Sequence, residues 1–273
     1  MKYPDMVSGP MARSVSDAAY LLSIIAGKDE NDNYTLAQPW DTPPDYTQAL
    51  NFSSLRGARI GIPRNGLTRY TIPQPVLDAF EDAIQVMKSA GATIVDNANF
   101  PAWDEYVTDS NAPIGNSAIV LEADFVSNLA SYLSHLTSNP NNIKTVSDES
   151  NFTRHFALEE YPDRDTGAWD QCLSLGYNNS DYRFWQAYQY SSYLGGEGGV
   201  LGALKANNLD TLILPTDCAS ELPARAGLPI VAVPMGFFPS NSTVRESWRG
   251  LVWAGPNIPS VRTFQFPLSF AVH

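Results

Sequence analysis

Directly after the apolar run Leu209-Asp210-Thr211-Leu212-Ile213-Leu214 come Pro215, Thr216, Asp217 and Cys218, which gather a hydroxyl, a carboxylate and a thiol. The run has the length and composition of a buried strand, and polar groups at a strand end are accessible to ligand. Cys218 is the chain's best-placed thiol nucleophile, yet Asp217 beside it raises its pKa and no histidine is near in sequence, which favours an inert cysteine. A serine nucleophile would need a base in hydrogen-bond reach and oriented donors for the oxyanion. None of the five lysines (Lys2, Lys28, Lys88, Lys144, Lys205) has a serine three residues before it, so the Ser-x-x-Lys arrangement is missing. The glycine-rich run Gly195-Gly196-Glu197-Gly198-Gly199 contains no serine and carries an anion where a nucleophile or phosphate would sit. It reads as a flexible turn or helix interruption.

Metal and cofactor chemistry find no support either. His135, His155 and His273 are far apart, with no His-Glu-x-x-His spacing, and read as structural or solvated. Cys172 and Cys218 are too few for a zinc site, and their separation fits no redox motif. Lys28-Asp29-Glu30-Asn31-Asp32-Asn33 alternates oxygen ligands, but Tyr34 and Trp40 stand where an EF-hand loop needs glycine and glutamate, so it reads as a polar turn. Asp163, Asp165 and Asp170 read as a solvent-facing acidic loop.

The elements that must position these residues are well marked. Ser14 is an N-cap with Asp17 at the third helical position, and Val15, Ala18, Ala19, Leu22 and Ile25 follow at helical spacing; the helix spans 15–26 and ends on a left-handed Gly27. Residues 58–63 read as a strand, 75–90 as a helix burying Val76, Phe80, Ala83 and Met87, and 92–95 as a second strand, with Gly91 closing the helix. This is a βαβ unit with parallel strands. Long helices are expected over 116–137 and 181–205, the second bearing an aromatic stripe (Tyr182, Phe184, Trp185, Tyr188, Tyr190, Tyr193) that reads as packing. The fold expected is α/β: one domain over 1–273 with a mixed, largely parallel β-sheet flanked by helices.

With 273 residues, 44% hydrophobic and 17% charged, the chain has the composition of a globular protein. A net charge of -12 disfavours nucleic acid and anionic membranes as partners. The first residues carry no signal-like apolar stretch, so the chain as written is expected in the cytoplasm. Five Asn-x-Ser/Thr motifs begin at Asn33, Asn51, Asn151, Asn178 and Asn241, a slight excess over the roughly three expected by chance, which tilts toward a secreted ancestor.

Three separated segments resemble the amidase signature family in order: Gly9-Pro10-Met11-Ala12-Arg13-Ser14-Val15-Ser16-Asp17-Ala18-Ala19, Leu55-Arg56-Gly57-Ala58-Arg59-Ile60-Gly61-Ile62-Pro63, and the late pair Leu209 to Asp217 and Ala226-Gly227-Leu228-Pro229-Ile230-Val231-Ala232-Val233-Pro234-Met235-Gly236-Phe237. The resemblance covers most of 5–258 and is weak over about 100–205. It implies a partial amidase signature fold and amide hydrolysis by a Ser-Ser-Lys triad held on a glycine- and serine-rich run. The family pattern places that triad before Met1, so no residue here inherits a catalytic role and no cofactor or metal is implied. What the resemblance assigns to this chain is a substrate wall of Thr216, Asp217, Gly227, Pro229 and Gly236 for a small amide. After Ile258 the family continues into a crossing strand and a last helix, whereas residues 260–273 read as an aberrant tail. Truncation at both ends would leave sheet edges and apolar helix faces for a partner chain to cover. Three readings follow: a truncated, inactive amidase-type hydrolase, a non-catalytic binding or assembly subunit that keeps the substrate wall, or a hydrolase that uses Cys218.

Overall fold

The computed structural model describes residues 9–236 and 249–254. The aberrant tail expected over 260–273, His273 and the motif at Asn241 lie outside these residues.

The first element is α1 (Val15–Ile25), started by the Ser14 hydroxyl, which accepts the Asp17 N–H at 3.1 Å. The Asp17 carboxylate in turn accepts the Ser14 hydroxyl at 2.7 Å, closing the start of the helix. Its end differs from expectation: Ala26 turns extended (φ -68°, ψ 144°), and no left-handed Gly27 is used. A short α2 (Asn33–Leu36) then precedes the βαβ unit, which forms as expected: β1 (Arg59–Ile62), α3 (Gln74–Ser89) and β2 (Thr93–Asp96). Gly91 takes φ +94°, a conformation that costs a glycine little, and this lets the chain reverse from α3 into β2. Val76, Phe80, Ile84 and Met87 repeat at helical spacing and are buried, the last three in one core with Ile60, Ile62 and Ile213.

Next come α4 (Trp103–Ser110), α5 (Asn116–Ser134), α6 (Val146–His155), α7 (Gly167–Ser174), α8 (Tyr182–Gly195), α9 (Leu201–Asn207), β3 (Thr211–Pro215), α10 (Glu221–Arg225), β4 (Ile230–Gly236) and β5 (Arg249–Ala254). The single helix expected over 181–205 is therefore two, α8 and α9, joined by a π-type turn at Gly196–Val200 with a kink at Gly199. This segment is a helix interruption, as read from sequence, but not a loose turn. Gly196, Gly198 and Gly199 are buried, and a Cβ on Gly195 would stand 2.4 Å from the Leu222 carbonyl oxygen. At Gly195 and Gly199 a side chain would run into a backbone carbonyl, of Leu222 and Leu194 respectively.

The five strands form one mixed sheet in the order β2-β1-β3-β5-β4. β1 pairs in parallel with β2 and with β3, while β5 runs antiparallel to β3 and to β4. The α/β architecture with helices on a mixed sheet is thus as expected, with its parallel half built on the βαβ unit.

The chain divides into two compact units. Of the described residues, 9–104, 193–236 and 249–254 form the unit that holds the sheet. Residues 105–192 form the other, which is helical. In it Val120, Ala123, Phe184 and Ala187 form a core, with Phe184 stacked on Tyr188 at 6.0 Å and edge-on to Trp185 at 5.3 Å. Of the aromatic stripe, Phe184, Trp185 and Tyr188 pack through these rings, whereas Tyr182, Tyr190 and Tyr193 are exposed. Asp163 and Asp165 are exposed as expected, and Asp170, partly exposed, also accepts hydrogen bonds from Ser150, Thr166 and Arg154.

Candidate functional site

The sheet register decides which predicted residues meet. Leu251 of β5 pairs with Pro215 on one side and Val233 on the other, while Ala254 pairs with Leu212 and Ile230. β3 and β4 therefore run in the same direction, one strand apart, and their C-terminal ends reach the same edge of the sheet. At that edge Pro215 leads into a 3-10 turn, Thr216–Cys218, which lifts Thr216 and Asp217 to partial exposure. β4 breaks register between Pro234 and Gly236, a bulge that bends the strand beside them. Thr216, Asp217 and Gly236 thus share one edge, the carboxyl end of the parallel strands, where open α/β sheets take ligands.

Gly227 and Pro229 do not join them. They precede Ile230, which lies level with Leu212, and Gly227 has φ +63° in the turn that enters β4. Pro229 falls level with Thr211, about 17 Å along the strands from Thr216 at one residue per ~3.3 Å. Both are exposed and shape the opposite end of β4.

A polar cluster with no signal in the sequence lies at the start of α10, the helix after the Thr216–Cys218 turn. Arg225 is buried, and its Nη2 donates to Glu221 Oε1 at 2.9 Å. The other oxygen, Glu221 Oε2, accepts from Arg69 Nη1 at 3.2 Å and from the Tyr70 hydroxyl at 3.4 Å. Two guanidiniums converge on one carboxylate, and α10 holds it one turn past Cys218 and Ala219. Arg69 stands 152 residues from Glu221, so only the fold pairs them.

Cys218 is buried, and desolvation pushes its thiol up to about 11. Behind it lies a cavity of about 10 Å³ lined by Phe100, Val200, Leu214 and Leu222, apolar and too small for substrate. Cys172 is likewise buried and free, its thiol raised by desolvation and then by the Glu122 charge. Neither is a ready nucleophile, since the reactive species is the thiolate. Lys28 is paired with Asp41 at 2.7 Å. His135 and His155 each turn Nδ1 to a carbonyl oxygen of their own helix, Ser131 and Asn151 at 2.7 Å. Among the described residues no group of three or more His, Cys, Asp or Glu is arranged to hold a metal ion, and no helix is long and apolar enough to cross a membrane.

Comparison with known proteins bears on this arrangement. Residues 5–230 match the family described as Amidase. A protein of Arthroderma benhamiae named "Putative amidase" is 48% identical over 92% of this chain and 41% of its own length, and one of Schizosaccharomyces pombe with the same designation is 31% identical over 84% and 43%. The crystal structure of native peptide amidase from Stenotrophomonas maltophilia superposes with a TM-score of 0.77 at 26% identity, covering 94% of this chain and 51% of that one. The chain thus spans less than half the length of these curated relatives and about half of the solved structure.

Proposed function

Because the chain belongs to the amidase family, we propose that it forms one wall of an amide-hydrolysing site and that residues 1–273 by themselves do not turn amides over. The observation that carries the first part is the sheet register: β3 and β4 deliver Thr216, Asp217 and Gly236 to one edge. There a hydroxyl and a carboxylate are placed to orient an amide, which offers a donor and an acceptor side by side. The Glu221 carboxylate, held by Arg69 and Arg225, fixes the start of α10, the helix that follows this turn in the chain. The likeness to a peptide amidase supports an amide as the ligand.

The second part rests on the thiols among the described residues and on the spacing of the lysines in the sequence. Both thiols are buried with raised pKa values, and no lysine follows a serine at the Ser-x-x-Lys spacing. Loss of a nucleophile or its base lowers turnover by about a million-fold in a serine hydrolase, which binding at a wall cannot restore.

The test is to purify residues 1–273 and follow aryl amide and ester hydrolysis beside labelling by a serine-reactive covalent probe and by iodoacetamide at pH 8. No turnover, no labelled serine and slow alkylation of Cys218 in the folded chain are expected. Turnover that survives purification to homogeneity, with one serine or Cys218 labelled, refutes the proposal and leaves a hydrolase built on that residue.

A further inference from the structure

Four Asn-x-Ser/Thr motifs fall on described residues, and the fold sorts them into two groups. Asn51 Oδ1 accepts two hydrogen bonds, from the Ser53 backbone N–H at 2.9 Å and the Ser53 hydroxyl at 2.8 Å. Asn178 repeats the arrangement with Ser180, at 3.0 Å from the N–H and 2.7 Å from the hydroxyl. Both asparagines sit in surface turns: Asn51 and Ser53 are exposed, as is Ser180, and Asn178 is partly so.

The other two motifs are built differently. In Asn33-Tyr34-Thr35 the residues lie in α2, and the Thr35 hydroxyl is engaged elsewhere, donating to Asp32 O at 2.8 Å and accepting the Asp29 N–H at 2.8 Å. Asn151-Phe152-Thr153 lies inside α6, with Thr153 only 3% exposed and its hydroxyl unpartnered. A helical backbone directs the hydroxyl of the third residue away from the asparagine carboxamide.

We propose that Asn51 and Asn178 are acceptors for N-linked glycosylation and that Asn33 and Asn151 are not. Two donors on Oδ1 draw electron density from the carboxamide, so that Nδ2 gives up a proton more readily as it attacks. In the step, Nδ2 bonds to the anomeric carbon of a lipid-linked oligosaccharyl pyrophosphate. The carbon–oxygen bond to pyrophosphate breaks, the lipid pyrophosphate leaves with that electron pair, and one Nδ2 proton passes to a base of the transferase. The turn needs only three consecutive residues, so a nascent chain can form it before the rest of the fold exists, whereas the Asp29 and Asp32 backbone competes for the Thr35 hydroxyl and the Thr145–Asp148 capping box favours helix around Asn151. Once folded, a glycan on either turn projects into solvent. The bare motif does not distinguish the four sites; the inference rests on these turns and is independent of the proposed amide chemistry.

The experiment translates the full chain behind a cleavable secretion leader in the presence of endoplasmic-reticulum microsomes. Protease-protected chain is deglycosylated enzymatically in heavy-oxygen water, and the resulting Asp tags are mapped by mass spectrometry. Tags at Asn51 and Asn178 with Asn33 and Asn151 bare are expected. Asn51→Gln and Asn178→Gln should each remove one glycan, and Asn151→Gln none. Protected chain with Asn51 or Asn178 bare, or with Asn33 or Asn151 occupied as fully as those two, overturns the proposal.

Discussion

Pro215 and Val233 lie level in the sheet, each paired with Leu251 from opposite sides. This relationship brings the Thr216–Cys218 turn and the β4 bulge to one edge, although their residues are separated in sequence by α10 and the turn after it. It also carries Gly227 and Pro229 away from that edge, because the residues entering β4 lie level with the start of β3.

The backbone crossing at Gly195 predicts a sharp cost for a single methyl group. Its Cβ would meet the Leu222 carbonyl at 2.4 Å and Arg225 Cβ at 2.8 Å, both belonging to packed backbone or buried side chain. Gly195→Ala should destabilise by about 1–3 kcal/mol through overpacking. Gly27→Ala is the control: its nearest neighbour would be Pro43 Cγ at 3.9 Å and its φ is not left-handed, so it should be neutral or slightly stabilising. Urea denaturation of the two variants checks this, and equal midpoints would contradict a tight approach of Gly195 to the α10 backbone.

A second prediction concerns the helical unit. Glu122 on α5 is buried and accepts a hydrogen bond from Gln171, while Oε2 has no partner. Burial raises its pKa above the ordinary carboxylate value, the Gln171 hydrogen bond opposing that shift only in part. The folded state therefore holds this proton more tightly than the unfolded state does. Its contribution is most favourable below the unfolded value and falls as pH rises through the folded one. Glu122→Gln removes the titration and keeps an acceptor for Gln171. Its stability relative to the parent chain should rise between pH 4 and pH 8, measured by urea midpoints at each pH. An unchanged difference would show that Glu122 is not desolvated.

Legibility from sequence followed the range of the interactions. The βαβ unit was readable because Val76, Phe80 and Met87 recur at helical spacing between two short apolar runs, and the Ser14 cap is a contact across three residues. The strand end at Pro215 was readable for the same reason. The β3–β5–β4 half was not, since Arg249–Ala254 carries no alternation or turn signal that sets its antiparallel register. Nor was the Arg69–Glu221–Arg225 cluster, which depends on chain brought together by that sheet. The glycine run showed where the helix breaks but not why, because Leu222 and Arg225, the groups packed against Gly195, come from α10. The end of α1 departs from the sequence expectation because Ala26 supplies the extended conformation by itself, leaving Gly27 no required role.

The central claim is that amides meet this chain at the carboxyl edge of β3 and β4, and an NMR titration of isotopically labelled residues 1–273 with acetanilide tests it most directly. The account predicts amide shifts centred on Thr216–Ala219 and on Met235 and Gly236, with Leu228 and Ile230 unmoved. Thr216→Ala should weaken the interaction about fivefold, the equivalent of about 1 kcal/mol for one lost hydrogen bond. Pro229→Ala should leave it unchanged. Shifts centred on Gly227 to Ile230, or a saturable interaction indifferent to Thr216, would contradict the assignment of the wall to this edge.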